Sequence, residues 1–438
     1  MYSKFRKRTR QTGWIIVSAI LLAGTLVAAP LHPHSIAHAE PSTAVSAIPA
    51  VQEQAAPTYR IIAIGDSLTA GYEPGLSEDS KPYGYVERIY EQALFHGRAA
   101  YSNYGILGLK LDGLNNWLKA AYSGASITAD DIQAGLLDPR TASFAATTGK
   151  LHSDIAQADL VLITIGGNDF KGLFDQLPSG RSVSDAWLAQ ELEHYEQSLE
   201  SSIRMIAAIS PTAKIVISDQ YSPIPNSPLI MSEENYDYLL DAAAGLKERL
   251  EQVVDKLTQE GYAVKGAYSA SSFVKREASS THILSKDIHP NQQGYGYIAD
   301  GFTEAIWGEK RMVAEREEGV PISIVVDGTE LRTANKPVIR ANRTYVAFRD
   351  IAEAMGATTQ WDNSSRTVTI TYGMKEVSLR IGEPAMTVNG KRVAIDTPAY
   401  LQQVGKERKT YVPLAVLADG LGFQVEYRAP IQTAFINK

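Results

Sequence analysis

Apolar residues follow two different patterns along this chain. From residue 59 to about 307, short unbroken apolar runs alternate with longer stretches in which apolar positions recur every three or four residues. The runs Tyr59–Ile64 and Leu160–Ile165 read as strands buried on both faces, with Lys214–Ser218 as a third. Tyr85–His96, Ala186–Ile209 and Glu233–Thr258 read as amphipathic helices. This alternation predicts an α/β fold with three α/β/α layers around a parallel sheet. The Pro-containing stretch Ser222–Met231 interrupts the rhythm and reads as a crossover loop, with an apolar pocket wall as the alternative.

After Trp307 a charged segment, 309–320, leads to Pro321, and short β-rich runs with Asp-Gly and Asn-Gly turns take over. Arg343–Ile370 then aligns without a gap to Lys409–Ile436, 66 positions on, with Trp361 opposite Tyr427. A strand and turn precede each copy, Ile324–Gly328 in one and Met386–Gly390 in the other. The pattern predicts a small α+β domain over 321–438 made of two tandem repeats, each running strand, turn, strand, short helix, hairpin. Because a charged linker separates it from the first domain, 58–308, truncation after Gly308 is expected to leave an active first domain.

The N-terminus has Lys4, Arg6, Lys7, Arg8 and Arg10, an apolar stretch Trp14–Ala29, and then Ala37-His38-Ala39. This three-part layout predicts a secretory signal peptide over 1–39. The apolar stretch is shorter than the roughly 20 residues a spanning helix needs. Residues 40–57, rich in Ala, Ser, Gln and Pro, have the makeup of a flexible linker. The chain carries a formal charge of −7, and loss of five cations and no acid with residues 1–39 makes it −12. That balance opposes non-specific attraction to nucleic acid, so no nucleic-acid partner is expected. With no cysteine, stability after export has to come from packing rather than disulfides.

Four short islands carry candidate chemistry. Gly65-Asp66-Ser67-Leu68-Thr69 follows the first strand, so Ser67 is expected at a strand-to-helix turn, although Gly-Asp-Ser alone also describes a capped turn. Asn103-Tyr104-Gly105-Ile106-Leu107-Gly108 offers backbone that a ligand can approach closely. Gly166-Gly167-Asn168-Asp169 presents the Asn168 amide just past a strand end, where open α/β sheets place ligand groups. Asp287-Ile288-His289-Pro290 supplies the best base for a serine nucleophile. His96, His152, His194 and His282 lie in no motif and are expected at the surface. Neither Gly-x-Ser-x-Gly nor His-Glu-x-x-His occurs.

In this order the islands resemble the SGNH hydrolases, the GDSL esterase and lipase family, over about Tyr59 to Trp307. The resemblance implies Ser67 as nucleophile and His289 as base. It also implies the Ser67 and Gly108 N–H groups and the Asn168 side chain as oxyanion donors, with no metal or other cofactor. The family's acid usually stands three residues before the histidine, where this chain has Lys286. Asp287, two before, is the favoured third member, and a main-chain carbonyl orienting the ring is the alternative.

The doubled C-terminal unit resembles the copper amine oxidase N-terminal-like, or stalk, domain. Copper is not implied, since no histidine follows position 289 and no cysteine exists. Trp361, Tyr345 and Tyr411 are expected mainly as core, with a sugar-stacking platform as the alternative, and Lys406–Lys409 as a solvated turn. The expectation is thus an exported serine esterase acting on short acyl esters or O-acetyl groups of polysaccharide, with its repeats contacting a cell-wall polymer. The alternatives are a lipase or lysophospholipase of the same family and a non-catalytic wall-binding protein.

Overall fold

The computed structural model describes residues 57–76 and 80–438. The expected signal peptide and all but the last residue of the expected linker lie outside the described residues. Five parallel strands, β1 (Tyr59–Gly65), β2 (Ala99–Gly105), β3 (Leu160–Thr164), β4 (Lys214–Ser218) and β5 (Val264–Ala267), form one sheet in the order β2-β1-β3-β4-β5. Successive residues of the central strands serve opposite faces. Ile62, Ile64, Val161, Ile163, Ile215 and Ile217 pack beneath α2 (Leu111–Ser123) and the helices Arg181–Ile209 and Glu233–Gln259. Ile61, Ala63, Leu160, Leu162 and Val216 pack beneath α1 (Tyr85–Leu94) and the helix Gln292–Trp307. These are the three layers expected, and the helices differ from expectation only at their ends.

Chain order reverses between β1 and β3, so a crevice opens beyond their C-terminal ends. Gly65 makes that end possible. Its φ is +151°, and a Cβ there would stand 2.1 Å from the Thr164 carbonyl oxygen.

The repeats are present but do not fold as two separate units. The helices Phe348–Ala354 and Leu414–Gly420 occupy equivalent places. The final hairpin of the second copy, Gln424–Arg428 with Thr433–Asn437, pairs through its last strand, in parallel, with Ser323–Val326 of the first copy. The hairpin of the first copy, Thr358–Asp362 with Thr367–Tyr372, extends through Lys375–Arg380 to the opening hairpin of the second, Ala385–Val388 with Lys391–Ala394. Arg343–Ala347 pairs with Glu407–Pro413 across the copies. Exchange of hairpins pairs strands that each copy alone would leave at a sheet edge.

This intertwined module shares a core with the three layers around the parallel sheet. Val325 and Phe435 join the cluster containing Leu94, Phe95, Phe302 and Ile306, and the Phe435 ring meets Phe95 edge-on at 4.9 Å. Arg428 Nε donates to Glu91 at 3.1 Å, with the two side chains 14% and 5% exposed. Asn437 Nδ2 donates to the carbonyls of Leu94 and Gly97, and Gln424 bonds both backbone groups of Ala99. The segment 309–320, expected as a linker, is itself tied down. Arg311 donates to the carbonyls of Phe95 and Gly328, and its backbone exchanges two bonds with the Gln92 side chain. All these contacts lie where α1 ends and β2 begins, the end of the sheet away from Ser67.

The shared core sets a test of the expected independence of residues 58–308. Phe435→Ala should lower stability by about 3–5 kcal/mol. The layers around the parallel sheet should unfold at the same lowered temperature, although Phe435 lies in the C-terminal module. Thermal unfolding of the variant against parent, followed by far-ultraviolet circular dichroism, checks this, and a second transition left at the parent's temperature would show that the two regions unfold independently.

Candidate active site

Ser67 follows β1 on a single helical turn, closed by Ala70 N–H to the Asp66 carbonyl and Tyr72 N–H to the Ser67 carbonyl. The expected helix does not follow at once. Gly71, Pro74 and Gly75 break the turn, and α1 starts only at Tyr85. Below Ser67 lies a buried polar network. The Asp66 carboxylate accepts from Leu68 N–H and from the Thr164 hydroxyl, both at 3.0 Å, while Thr69 Oγ1 bonds Thr164 Oγ1 at 2.6 Å and Tyr85 OH at 2.9 Å. Burial pushes the Asp66 carboxyl up to about 7, against the lowering effect of those two donors.

His289 comes to Ser67 from a tight loop. Its Nε2 is 2.8 Å from Ser67 Oγ and its Nδ1 is 2.7 Å from Asp287 Oδ1, which also accepts the His289 backbone N–H at 2.9 Å. Lys286, in the left-handed region at φ +64°, provides the turn that brings an acid only two residues away onto the ring. Nδ1–H therefore donates to the carboxylate, and Nε2 is left to accept the Ser67 proton. The loop is pinned by His282 N–H to the His289 carbonyl at 2.9 Å and by Tyr221 OH to the Ile288 carbonyl at 2.8 Å. His282 Nε2 also lies 3.0 Å from Glu73 Oε2, and Gln292 donates to the other Glu73 oxygen. His282, expected as a plain surface residue, thus braces the loop. Of the four histidines outside motifs only His96 is exposed, and it stacks on Trp307.

Asn168 Nδ2 donates one hydrogen to the Leu109 carbonyl at 3.0 Å, which ties the residue after Gly108 to the end of β3, and among the described residues its second hydrogen has no protein acceptor. Its neighbour Asp169 accepts from Leu111 N–H at the start of α2, and burial raises its carboxyl to about 6. Gly108 sits at φ +81° and is exposed. Among the described residues neither its N–H nor that of Ser67 has a protein acceptor. The loop around it is held by residues that no motif marked. Leu107 N–H donates to Asp138 at 2.9 Å, Arg140 bridges Asp138 and the Gly105 carbonyl, and Gln133 donates to the Gly108 carbonyl at 3.1 Å. Burial alone would raise the Asp138 carboxyl, yet Arg140 and two backbone donors hold it below its usual range. The sequence signal for this clamp is only Asp-Pro-Arg in a loop, a pattern too common to read.

Ser67, His289, Asp287 and Asn168 all border one cavity of about 460 Å³, whereas Gly108 is not among its lining residues. Phe170, Leu173, Phe174, Leu239, Ala242 and Leu246 form the apolar part. Pro223 also borders it, so Ser222–Met231 contributes to a pocket wall as well as crossing between strand and helix. Among the described residues no cluster of three or more His, Asp, Glu or Cys is placed to hold a metal ion. A serine bonded to a carboxylate-backed imidazole beside free N–H donors is an arrangement suited to acyl transfer.

The model of the GDSL-like lipase/acylhydrolase family matches residues 63–297, more than half of the chain. The chain belongs to this family. It is an ester-hydrolysing enzyme, and its residues 325–436 match the copper amine oxidase N-terminal domain. Uncharacterized protein YpmR of Bacillus subtilis is 26% identical over 262 residues, spanning 60% of this chain and 83% of that protein. Among solved structures, lipase Lip_vut3 from a goat rumen metagenome is 18% identical, covering 57% of this chain and 98% of its own at a TM-score of 0.38. An extracellular lipase from Streptomyces rimosus is 17% identical, with coverage of 57% and 100% and a TM-score of 0.35. For the family 3 carbohydrate esterase of Clostridium thermocellum the values are 16%, 57%, 95% and 0.33. Likenesses this distant carry no inference about substrate.

Two predictions come from this geometry. Asp287→Asn should lower kcat about a hundredfold with KM little changed, because the imidazolium loses its adjacent charge. A loss below about threefold would return the ring's orientation to a backbone carbonyl.

The second concerns Asp66. Its folded pKa of about 7 exceeds the ordinary 3.8, so the native state holds a proton that the unfolded chain has released. Stability from this group is therefore complete below about 3.8 and is lost as pH rises to about 7. Relative to Asp66→Asn, which cannot ionise, the parent should lose about 1.4 kcal/mol per pH unit across that window in urea unfolding. A difference that does not vary with pH would contradict it.

Proposed function

We propose that Ser67 is the nucleophile, His289 the general base and Asp287 the acid of an acyl-enzyme mechanism. Ser67 Oγ attacks the ester carbonyl while His289 Nε2 takes its proton. The oxyanion is held by the N–H groups of Ser67 and Gly108 and the amide of Asn168, and Asp287 keeps the ring in the accepting tautomer. His289 then protonates the departing alcohol, and a water activated by the same nitrogen releases the acid and restores Ser67. What supports this reading is the continuous bonding from Ser67 to His289 to Asp287 at 2.8 and 2.7 Å, at the mouth of an apolar cavity.

The cavity also bears on the acyl group. About 460 Å³ lined by two phenylalanines and four leucines is far more than an acetyl group fills. We therefore place esters of longer, apolar acyl chains ahead of the O-acetyl substrates expected from sequence. Each methylene taken into the cavity contributes up to about 0.8 kcal/mol, or roughly fourfold in kcat/KM. Exposed Lys171 and Lys286 line the same cavity without a carboxylate partner among the described residues. They favour an anionic group on the alcohol, the lysophospholipid reading. Export remains part of the proposal and rests on the sequence pattern of residues 1–39.

A series of p-nitrophenyl esters from acetate to decanoate tests the acyl preference. The rate constant kcat/KM should rise with length to a maximum at hexanoate or beyond. Ala243→Phe, which fills part of the cavity, should reduce turnover of octanoate at least tenfold while sparing acetate. A maximum at acetate, insensitive to Ala243→Phe, would restore the O-acetyl reading.

A further inference from the structure

The C-terminal module contains a second cleft, unrelated to the esterase chemistry. It has a volume of about 410 Å³ and opens between the two repeat copies. The first copy contributes Arg349 at the start of its short helix, and Trp361 and Arg366 from either side of its hairpin turn. The second contributes Arg408 and Lys409 from the strand Glu407–Pro413. Of the aromatic trio singled out in the sequence, Tyr345 and Tyr411 are 4% and 1% exposed and belong to the core. Trp361 also packs against the module's core, as expected, but it is only half-buried and borders the cleft, and among the described residues its indole N–H has no protein acceptor.

The charges are distributed unevenly. On a chain whose net charge is −7, four cations meet in this one cleft. Lys409 is paired with Glu407, but among the described residues Arg349, Arg366 and Arg408 have no carboxylate within 4 Å. The single acid of the cleft, Asp350, accepts from Asn335 at 2.9 Å and from the Thr333 hydroxyl through one oxygen, and among the described residues it forms no ion pair with any of the four cations. Free guanidinium groups left together repel one another, and a bound anion would relieve that repulsion. An aromatic face beside them suits the apolar face of a sugar ring. Of the Lys406–Lys409 stretch, expected as a solvated turn, Lys406 does lie exposed in a turn, while Arg408 and Lys409 border the groove from the strand that follows.

We propose that this cleft binds an acidic polysaccharide, with a sugar ring on Trp361 and its carboxylate or phosphate groups on Arg349, Arg366 and Arg408. Docked at the end of the sheet away from Ser67, the module would hold such a polymer without covering the acyl cavity. This site does not depend on the esterase assignment.

The full chain can be run in native gels containing polygalacturonate, with dextran as the neutral polymer and inorganic polyphosphate as an anion without sugar. Polygalacturonate should retard the parent, weakening as salt rises, and dextran should not. Arg366→Gln with Arg408→Gln, and separately Trp361→Ala, should each weaken binding about tenfold, and Trp361→Phe should recover most of the loss. Unchanged hydrolysis of p-nitrophenyl butyrate would show that each variant is folded, and none of these residues lies at the esterase site. No retardation of the parent, equal retardation by dextran, or variants that bind like the parent would overturn the proposal. Retention by polyphosphate alone would overturn it as well, leaving an anion patch with no place for a sugar.

Discussion

The close approach of the ends of β1 and β3 underlies everything at the catalytic end of the sheet. Asp66 N–H donates to the Thr164 carbonyl at 3.0 Å, in a space that only glycine at position 65 leaves open. With the two strand ends in contact, the turn bearing Ser67 and the loop bearing Asn168 stand side by side at the switch point of the sheet. The Asp66, Thr69, Thr164 and Tyr85 network then fixes their relative height, because each buried polar group has a partner it would be costly to lose. One consequence is a buried carboxyl next to Ser67 in the chain that favours its protonated form up to about neutral pH.

The rest of the site is positioned by loops that are themselves tied at both ends. Asp138, Arg140 and Gln133 hold the Gly108 segment, and Glu73, His282 and Tyr221 hold the His289 loop. At the other end of the sheet the repeat module continues the hydrophobic core through Val325 and Phe435. The buried pair of Arg428 and Glu91 fixes how the module sits more than it adds stability, since desolvation offsets much of its attraction.

What could be read from the sequence followed from local periodicity and residue chemistry. The runs Leu160–Ile165 and Lys214–Ser218 were legible as strands because a buried parallel strand needs unbroken apolar residues. Ser67, His289 and Asn168 were legible because each stands in a short motif after a strand or turn. Asp287 was legible only as a candidate. Its spacing departs from the family's, and the left-handed conformation of Lys286 that compensates is decided by tertiary contacts. The same is true of the hairpin exchange. A 66-residue repeat shows that two copies exist, but not which strand pairs with which, because register across copies depends on contacts distant in sequence. Acyl-cavity volume and the clustering of Arg349, Arg366 and Arg408 arise in the same way, from residues brought together only by folding.

The central claim is that Ser67, activated by His289, forms the covalent intermediate. Treating the full chain with a fluorophosphonate and mapping the adduct by peptide mass spectrometry tests it most directly. One adduct per chain is expected, on the peptide containing Ser67. An adduct on any other serine, or none while ester hydrolysis continues, would contradict it.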